Sequence, residues 1–380
     1  MKESRLPCFE LEEWFRRFAF VPGMVNLSPS NPVSPTVGDL LELTGTPLSD
    51  LRGLSLDYSQ TAGVSSLRQA VAALYEDLDA EQVVVTSGAT EAVLLVLEAI
   101  IDRGARVVIE SPLYGIYEPL LHLLGAEVTR YELAARDGFE YDFDRLEQLV
   151  RTSRAELLIV NPYNNPTGRG LASASSLDTL VELSARAGCR VISDDVFRYA
   201  TLHGVALRSP LDAARDAISV GDMTKAWGLG GLRIGWLACR DSSVIERALN
   251  TRDYTTNSNS IVSERLAEYA LSVRGRLLDS ALDVARETCS RVDQFLRHSR
   301  GALSWYPPLG GYCGWIEVHV DDAPPVPDLC ASLVKTRNLL MLPGAVFGPK
   351  WDRFVRVGLA VGSERLVAGL DALLEEAGAS

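Results

Sequence analysis

The stretch from Gly221 to Cys239, GDMTKAWGLGGLRIGWLAC, sets Lys225 and Arg233 in a Gly-rich loop just after the apolar run at 217–220. The chain carries four lysines against thirty-three arginines. Lys2 is at a terminus, and Lys335 and Lys350 stand beside charged or turn-forming neighbours, whereas Lys225 sits among small and apolar residues. Desolvation disfavours an ammonium, so a buried lysine gives up its proton readily and becomes a nucleophile able to condense with a carbonyl. Taken singly, Lys225 is equally a loop side chain that reaches solvent. Other reactive types stand at the ends of apolar runs. TSGATE (86–91) offers small residues and a helix start where backbone N–H groups can approach an anion, although Ser and Thr are also ordinary caps. SPLY (111–114) ends in Tyr114, an aromatic able to stack on a flat ring or to pack in a core. NPYNNPTG (161–168) and SDDVFR (193–198) supply amides and carboxylates. Arg356, inside FVRVGLAV, needs a carboxylate partner, either a ligand or a structural ion pair.

The order S/T-K-x7-R-x-G, here Thr224-Lys225 through Arg233 and Gly235, resembles the cofactor-lysine segment of fold-type I pyridoxal-phosphate (PLP) enzymes, the class I/II aminotransferases. NPTG after an apolar run is close to a signature of that family. The resemblance runs from Tyr58 to Arg356 and implies a role for each matching residue. Lys225 would hold PLP as a Schiff base and serve as the general base. Asp194 would pair with the protonated pyridine nitrogen, with Asp195 behind it, and Asn165 would donate to the phenolic oxygen. Ala89, Thr90, Thr224 and Arg233 would hold the phosphate, and Tyr114 would cover the ring. Arg356 would grip the substrate α-carboxylate beside Asn165. The string Y-x4-G-x3-LR-x-A implies that Tyr58 reaches the cofactor phosphate of a neighbouring subunit, hence a homodimer with shared active sites. One position departs from the family: Phe197 stands where a tyrosine commonly hydrogen-bonds the phenolic oxygen. RDYTT (252–256) and LEEWF (11–15) further resemble the subgroup containing capreomycidine synthase, a PLP enzyme that cyclises a hydroxylated arginine.

These residues need a scaffold. VVVT (83–86), VVIE (107–110), LLIV (157–160), VIS (191–193) and AISV (217–220) read as buried strands, with helical crossovers between them. That alternation predicts an α/β fold with a mostly parallel, doubly covered sheet. The resemblance makes it the PLP-transferase fold type I, a large domain with a smaller α+β domain. The expected organisation is an N-terminal arm with part of the small domain over 1–45, a large PLP-binding domain over 46–270 and a C-terminal small domain over 271–380. LEEWFRRF (11–18) reads as a short helix, and NLSPSNPVSP (26–35) as an extended arm crossing toward later residues. A helix is expected at 90–101, a long helical run at 261–299, and a strand and helix at the C-terminal end.

With 47% apolar and 23% charged residues the chain is an ordinary globular protein. Its net charge of −13 argues against nucleic acid or an anionic membrane as partner. No apolar run approaches membrane-spanning length, and the charged N-terminus does not read as a signal peptide. Six scattered cysteines without a CxxC pair, and four spaced histidines, predict reduced thiols, no metal site and a cytoplasmic protein. No GxGxxG or Walker-type loop is present. The expected function is transfer of the amino group of an L-amino acid to a 2-oxo acid. The second reading is a non-transaminating PLP enzyme (cyclase, elimination, replacement or oxidase), and the third is an inactive binding module.

Overall fold

Short runs of Val, Ile and Leu form strands here because branched side chains pack on both faces of a covered sheet. The computed structural model describes residues 6–171, 173–204 and 207–378, which leaves Lys2 outside the described residues. Its first eight strands are β1 (Val25–Asn26), β2 (Val83–Thr86), β3 (Arg106–Ser111), β4 (Glu127–Glu132), β5 (Leu157–Val160), β6 (Arg190–Asp194), β7 (Ile218–Asp222) and β8 (Gly235–Cys239). Seven of them form one sheet in the order β2-β8-β7-β6-β5-β3-β4. Only β8 runs against its neighbours, so the sheet is mostly parallel. Alternate residues feed two cores. Val84, Ile109, Ile159 and Val220 pack with the helix Ala89–Ile100 on one face, and Val83, Val108, Leu158 and Val191 pack with the helix Ala174–Ala187 on the other.

Two of these strands are not among the five apolar runs. In β4, only Tyr131 is buried, as suits a strand at the sheet edge. β8 begins with Gly and lies inside the lysine segment, where it turns the chain straight back along β7. The expected helical run at 261–299 is two helices, Ile261–Ser272 and Arg274–His298, parted at Val273 where φ is −119° and ψ 18°.

A second, antiparallel sheet of order β12-β13-β10-β9 is formed by β9 (Leu303–Trp305), β10 (Cys313–Val318), β12 (Leu342–Pro343) and β13 (Phe354–Gly358), with β11 (Leu339–Leu340) beside it in the chain. The helix Glu10–Phe18 and the arm after it return to this region. Val25 and Asn26 pair in parallel with Leu339 and Leu340. The Trp14 Nε1–H donates to the Met341 carbonyl at 3.0 Å, and Gly358 N–H donates to the Leu27 carbonyl at 2.7 Å.

Candidate active site

Parallel strands end at one edge of their sheet, and β2, β3, β5, β6 and β7 deliver Thr86, Ser111, Val160, Asp194 and Asp222 there. Ligands in open α/β sheets bind outside this edge, where neighbouring loops diverge. A cavity of about 450 Å³ lies among these ends.

One wall is a helix start. The 12-residue helix Ala89–Ile100 opens with no side-chain cap, so the N–H groups of its first turn have no partner inside the helix. Gly88 precedes it at φ +84°, and a Cβ there would stand 2.4 Å from the Arg233 guanidinium. A Cβ on Gly235 would lie 2.4 Å from the Gly88 carbonyl carbon. These two glycines thus let β8 and Arg233 close on the turn, and Arg233 Nη2 donates to the Ser87 carbonyl at 3.3 Å. Ala89, Thr90, Thr224 and Arg233 all line the cavity. Unpaired helix N–H groups beside a guanidinium form an anion site.

At the end of β6, Asp194 is 7% exposed and accepts the Tyr117 hydroxyl at 2.8 Å. Burial pushes its pKa up to about 7, and no cation stands within ion-pair distance among the described residues. A buried carboxylate in that condition calls for a cationic hydrogen-bond donor. Asp195 does not line the cavity, because Ser193 and Ser219 hold it with hydroxyl bonds of 2.5 and 2.6 Å. Asn161 links the neighbouring strands: its Nδ2 donates to the Asp194 carbonyl at 2.6 Å, and its Oδ1 accepts the Asn165 N–H at 2.9 Å.

Lys225 follows β7, and its Nζ donates to Ser30 Oγ at 3.0 Å. Desolvation lowers its pKa, opposed by the charge of Asp222. Asp222 Oδ1 accepts the N–H groups of Thr224 and Lys225, which fixes the turn that carries the amine. Arg356 is 1% exposed and has no ion pair among the described residues. Its Nη1 donates to Asn165 Oδ1 and its Nη2 to the Ser28 carbonyl, both at 2.9 Å, while Nε is buried without a partner. A guanidinium can only donate, so it fixes the Asn165 oxygen and leaves the amide N–H₂ free to donate. Arg356 is not among the lining residues and meets the cavity through Asn165, which is one of them. Tyr114 and Phe197 do line it. Tyr58 lies elsewhere, 85% exposed.

Several participants had no role assigned from the sequence, although Asp222, Ser30 and Glu12 stand inside GDMTK, NLSPSNPVSP and LEEWF. Glu110, at the end of β3, accepts the Asn161 N–H at 2.9 Å, the Asn164 amide at 2.8 Å and the Tyr141 hydroxyl, so it braces the loop that carries Asn165. Tyr117, Ser30, Asp222, Phe9 and Glu12 are the others, and only contacts across the fold reveal them. Pyridoxal phosphate fits the donor set: an amine, an uncompensated buried carboxylate, an amide donor and an anion cradle surround one small cavity.

The family model described as aminotransferase class I and II matches residues 28–373. Capreomycidine synthase of Streptomyces vinaceus is 31% identical over 377 residues, 98% of this chain and 94% of that protein. A PLP-dependent aminotransferase from Streptococcus suis superposes with a TM-score of 0.89 at 28% identity, covering 98% of this chain and 99% of that one. The PLP-dependent cyclase OrfR superposes at 0.91 and 28% identity, covering 99% of each chain.

Proposed function

The chain belongs to the aminotransferase class I and II family of PLP enzymes, and from that premise we propose that it moves the α-amino group of an L-amino acid to a 2-oxo acid. Its cofactor is pyridoxal phosphate and its fold is fold type I. The observation that carries the reading is the convergence of Lys225, Asp194 and Asn165 on one cavity. The cofactor supplies an electron sink for the pair left when a bond at the substrate α-carbon breaks. Lys225 Nζ would hold the cofactor covalently and, once released by substrate, would take the α-proton. Desolvation favours its neutral form, which is the form able to accept that proton. The Asp194 carboxylate would keep the ring nitrogen protonated, because its own burial is relieved by a cation at that point. Asn165 would donate to the phenolic oxygen through the amide hydrogens that Arg356 leaves free. The Ala89–Thr90 helix start, Thr224 and Arg233 would bind the phosphate, and Tyr114 would cover the ring. The unpartnered Nε of Arg356 supports its binding of the substrate α-carboxylate.

A ring-forming or eliminating outcome is the second reading. Phe197 has no hydroxyl to give the phenolic oxygen, and the chain is 31% identical to capreomycidine synthase. Mixing cofactor-loaded protein with single L-amino acids and no oxo acid separates the two. Amine-form cofactor plus a 2-oxo acid is the expected result, with none from Lys225→Ala. Unchanged cofactor with a dehydrated or cyclised product would replace transamination by the second reading.

We place the enzyme in the cytoplasm as a homodimer. Its six cysteines are all free thiols, and among the described residues no helix is long and apolar enough to cross a membrane. Tyr58, outside its own cavity and exposed, is available to a second subunit.

A further inference from the structure

We propose that Glu12 forms a subsite for a cationic side chain, so that the favoured amino acid carries a guanidinium or ammonium group. The inference rests on the reading above. Glu12 lies on the helix Glu10–Phe18, and its side chain lines the same cavity as Lys225 and Asp194. The helix is seated there, not draped over the surface. The Phe9 ring packs on Tyr114 with centroids 5.2 Å apart, and Gly115 leaves it room, since a Cβ there would stand 2.9 Å from that ring. Trp14 anchors the other side through the Met341 carbonyl.

Three carboxylates line the cavity, and two are spoken for. Asp222 fixes the Lys225 turn and faces its amine, and Asp194 would meet the ring nitrogen. Glu12 accepts one bond, from the Tyr114 hydroxyl to Oε1 at 2.9 Å, and Oε2 has no hydrogen-bond partner among the described residues. Among the described residues no cation lies within ion-pair distance of it either. A phenol has a single proton to donate, so the Tyr114 hydroxyl satisfies one oxygen of this carboxylate and leaves the other to a ligand. An apolar side chain seated against that carboxylate would strip its water without replacement, whereas a cation would restore the lost bonds. With the α-carboxylate on Arg356, the charge left for the distal end of the substrate is positive.

The test uses the absorbance of cofactor-loaded protein titrated with L-arginine, L-lysine and their neutral counterparts L-citrulline and L-norleucine. Each cationic amino acid should bind about tenfold or more tightly than its neutral counterpart, the ratio expected of a charge-assisted bond. Glu12→Gln should bring both ratios toward one, and Glu12→Asp, which keeps the charge, should restore part of the discrimination. Ratios near one in the unaltered enzyme, or undiminished in Glu12→Gln, would overturn the subsite while leaving the proposed function intact. Absence of any spectral change with all four and with other L-amino acids would overturn the function and the subsite together.

Discussion

Asp194 is the residue whose chemistry is most exposed to test. Burial raises its pKa from 3.8 to about 7, with Tyr117 donating to it and Asp222 and Asp195 adding like charge. A carboxyl whose folded pKa lies above its unfolded one binds its proton more tightly in the folded state. That contribution to stability is complete below the unfolded value and is lost as pH rises through about 7. Cofactor-free protein should therefore lose melting temperature, relative to Asp194→Asn, between about pH 4 and pH 8. Cofactor should abolish that loss in the unaltered protein, since a ring N–H⁺ compensates the ionised carboxylate. A difference between the two proteins that stays flat with pH would show that Asp194 carries no burial penalty. Lys225, Asp194, Asn165 and Arg233 were legible because each belongs to a local string whose turn aims it. Ser30, Glu110 and Tyr117 were not, because each reaches the site from a part of the chain whose own residues say only helix, loop or strand. Glu12, although inside LEEWF, was not because nothing local tells where its carboxylate points.

Among the elements, the helix Ala89–Ile100 and β8 depend on one close approach. A Cβ on Gly235 would meet Gly88 and Ala89 backbone atoms at 2.4 and 2.5 Å, and backbone gives way less easily than a side chain. Gly235→Ala is expected to cost about 1–3 kcal/mol of stability, measured by urea unfolding, as overpacking does. It should also weaken cofactor binding, because the helix start must shift. Gly231→Ala, whose Cβ would meet nothing within 4 Å, is the control. Equal behaviour of the two variants would remove this contact from the account of the cradle. Such contacts explain what could be read at this scale. The five apolar runs announced strands through composition, whereas β8 hid behind its glycines, and β4 behind the polar faces of an edge.

For the whole molecule, the sharpest expectation concerns Tyr58. If it serves the neighbouring subunit, Tyr58→Ala and Lys225→Ala should complement each other. In a mixed dimer one site would have both defects and the other neither, so about half the activity of the unaltered dimer should return. Sedimentation should show twice the chain mass. Mixed dimers that form without regaining activity would assign Tyr58 to its own subunit, and a fully active Tyr58→Ala homodimer would assign it to no site.

The pairing of Val25–Asn26 with Leu339–Leu340 also has a bearing on how the molecule comes into being. A ribosome releases the helix that carries Glu12 well ahead of the strand and carbonyl that seat it, which are made more than 300 residues later. At ordinary elongation speeds that interval is on the order of tens of seconds. The large sheet, complete once β8 has emerged, can assemble in the meantime around its lysine loop. The amphipathic opening helix must wait unpaired. In the growing polypeptide the cofactor's place thus exists before the place for the distal end of the substrate does, and chaperones have their longest access to the segment on which the choice of amino acid depends.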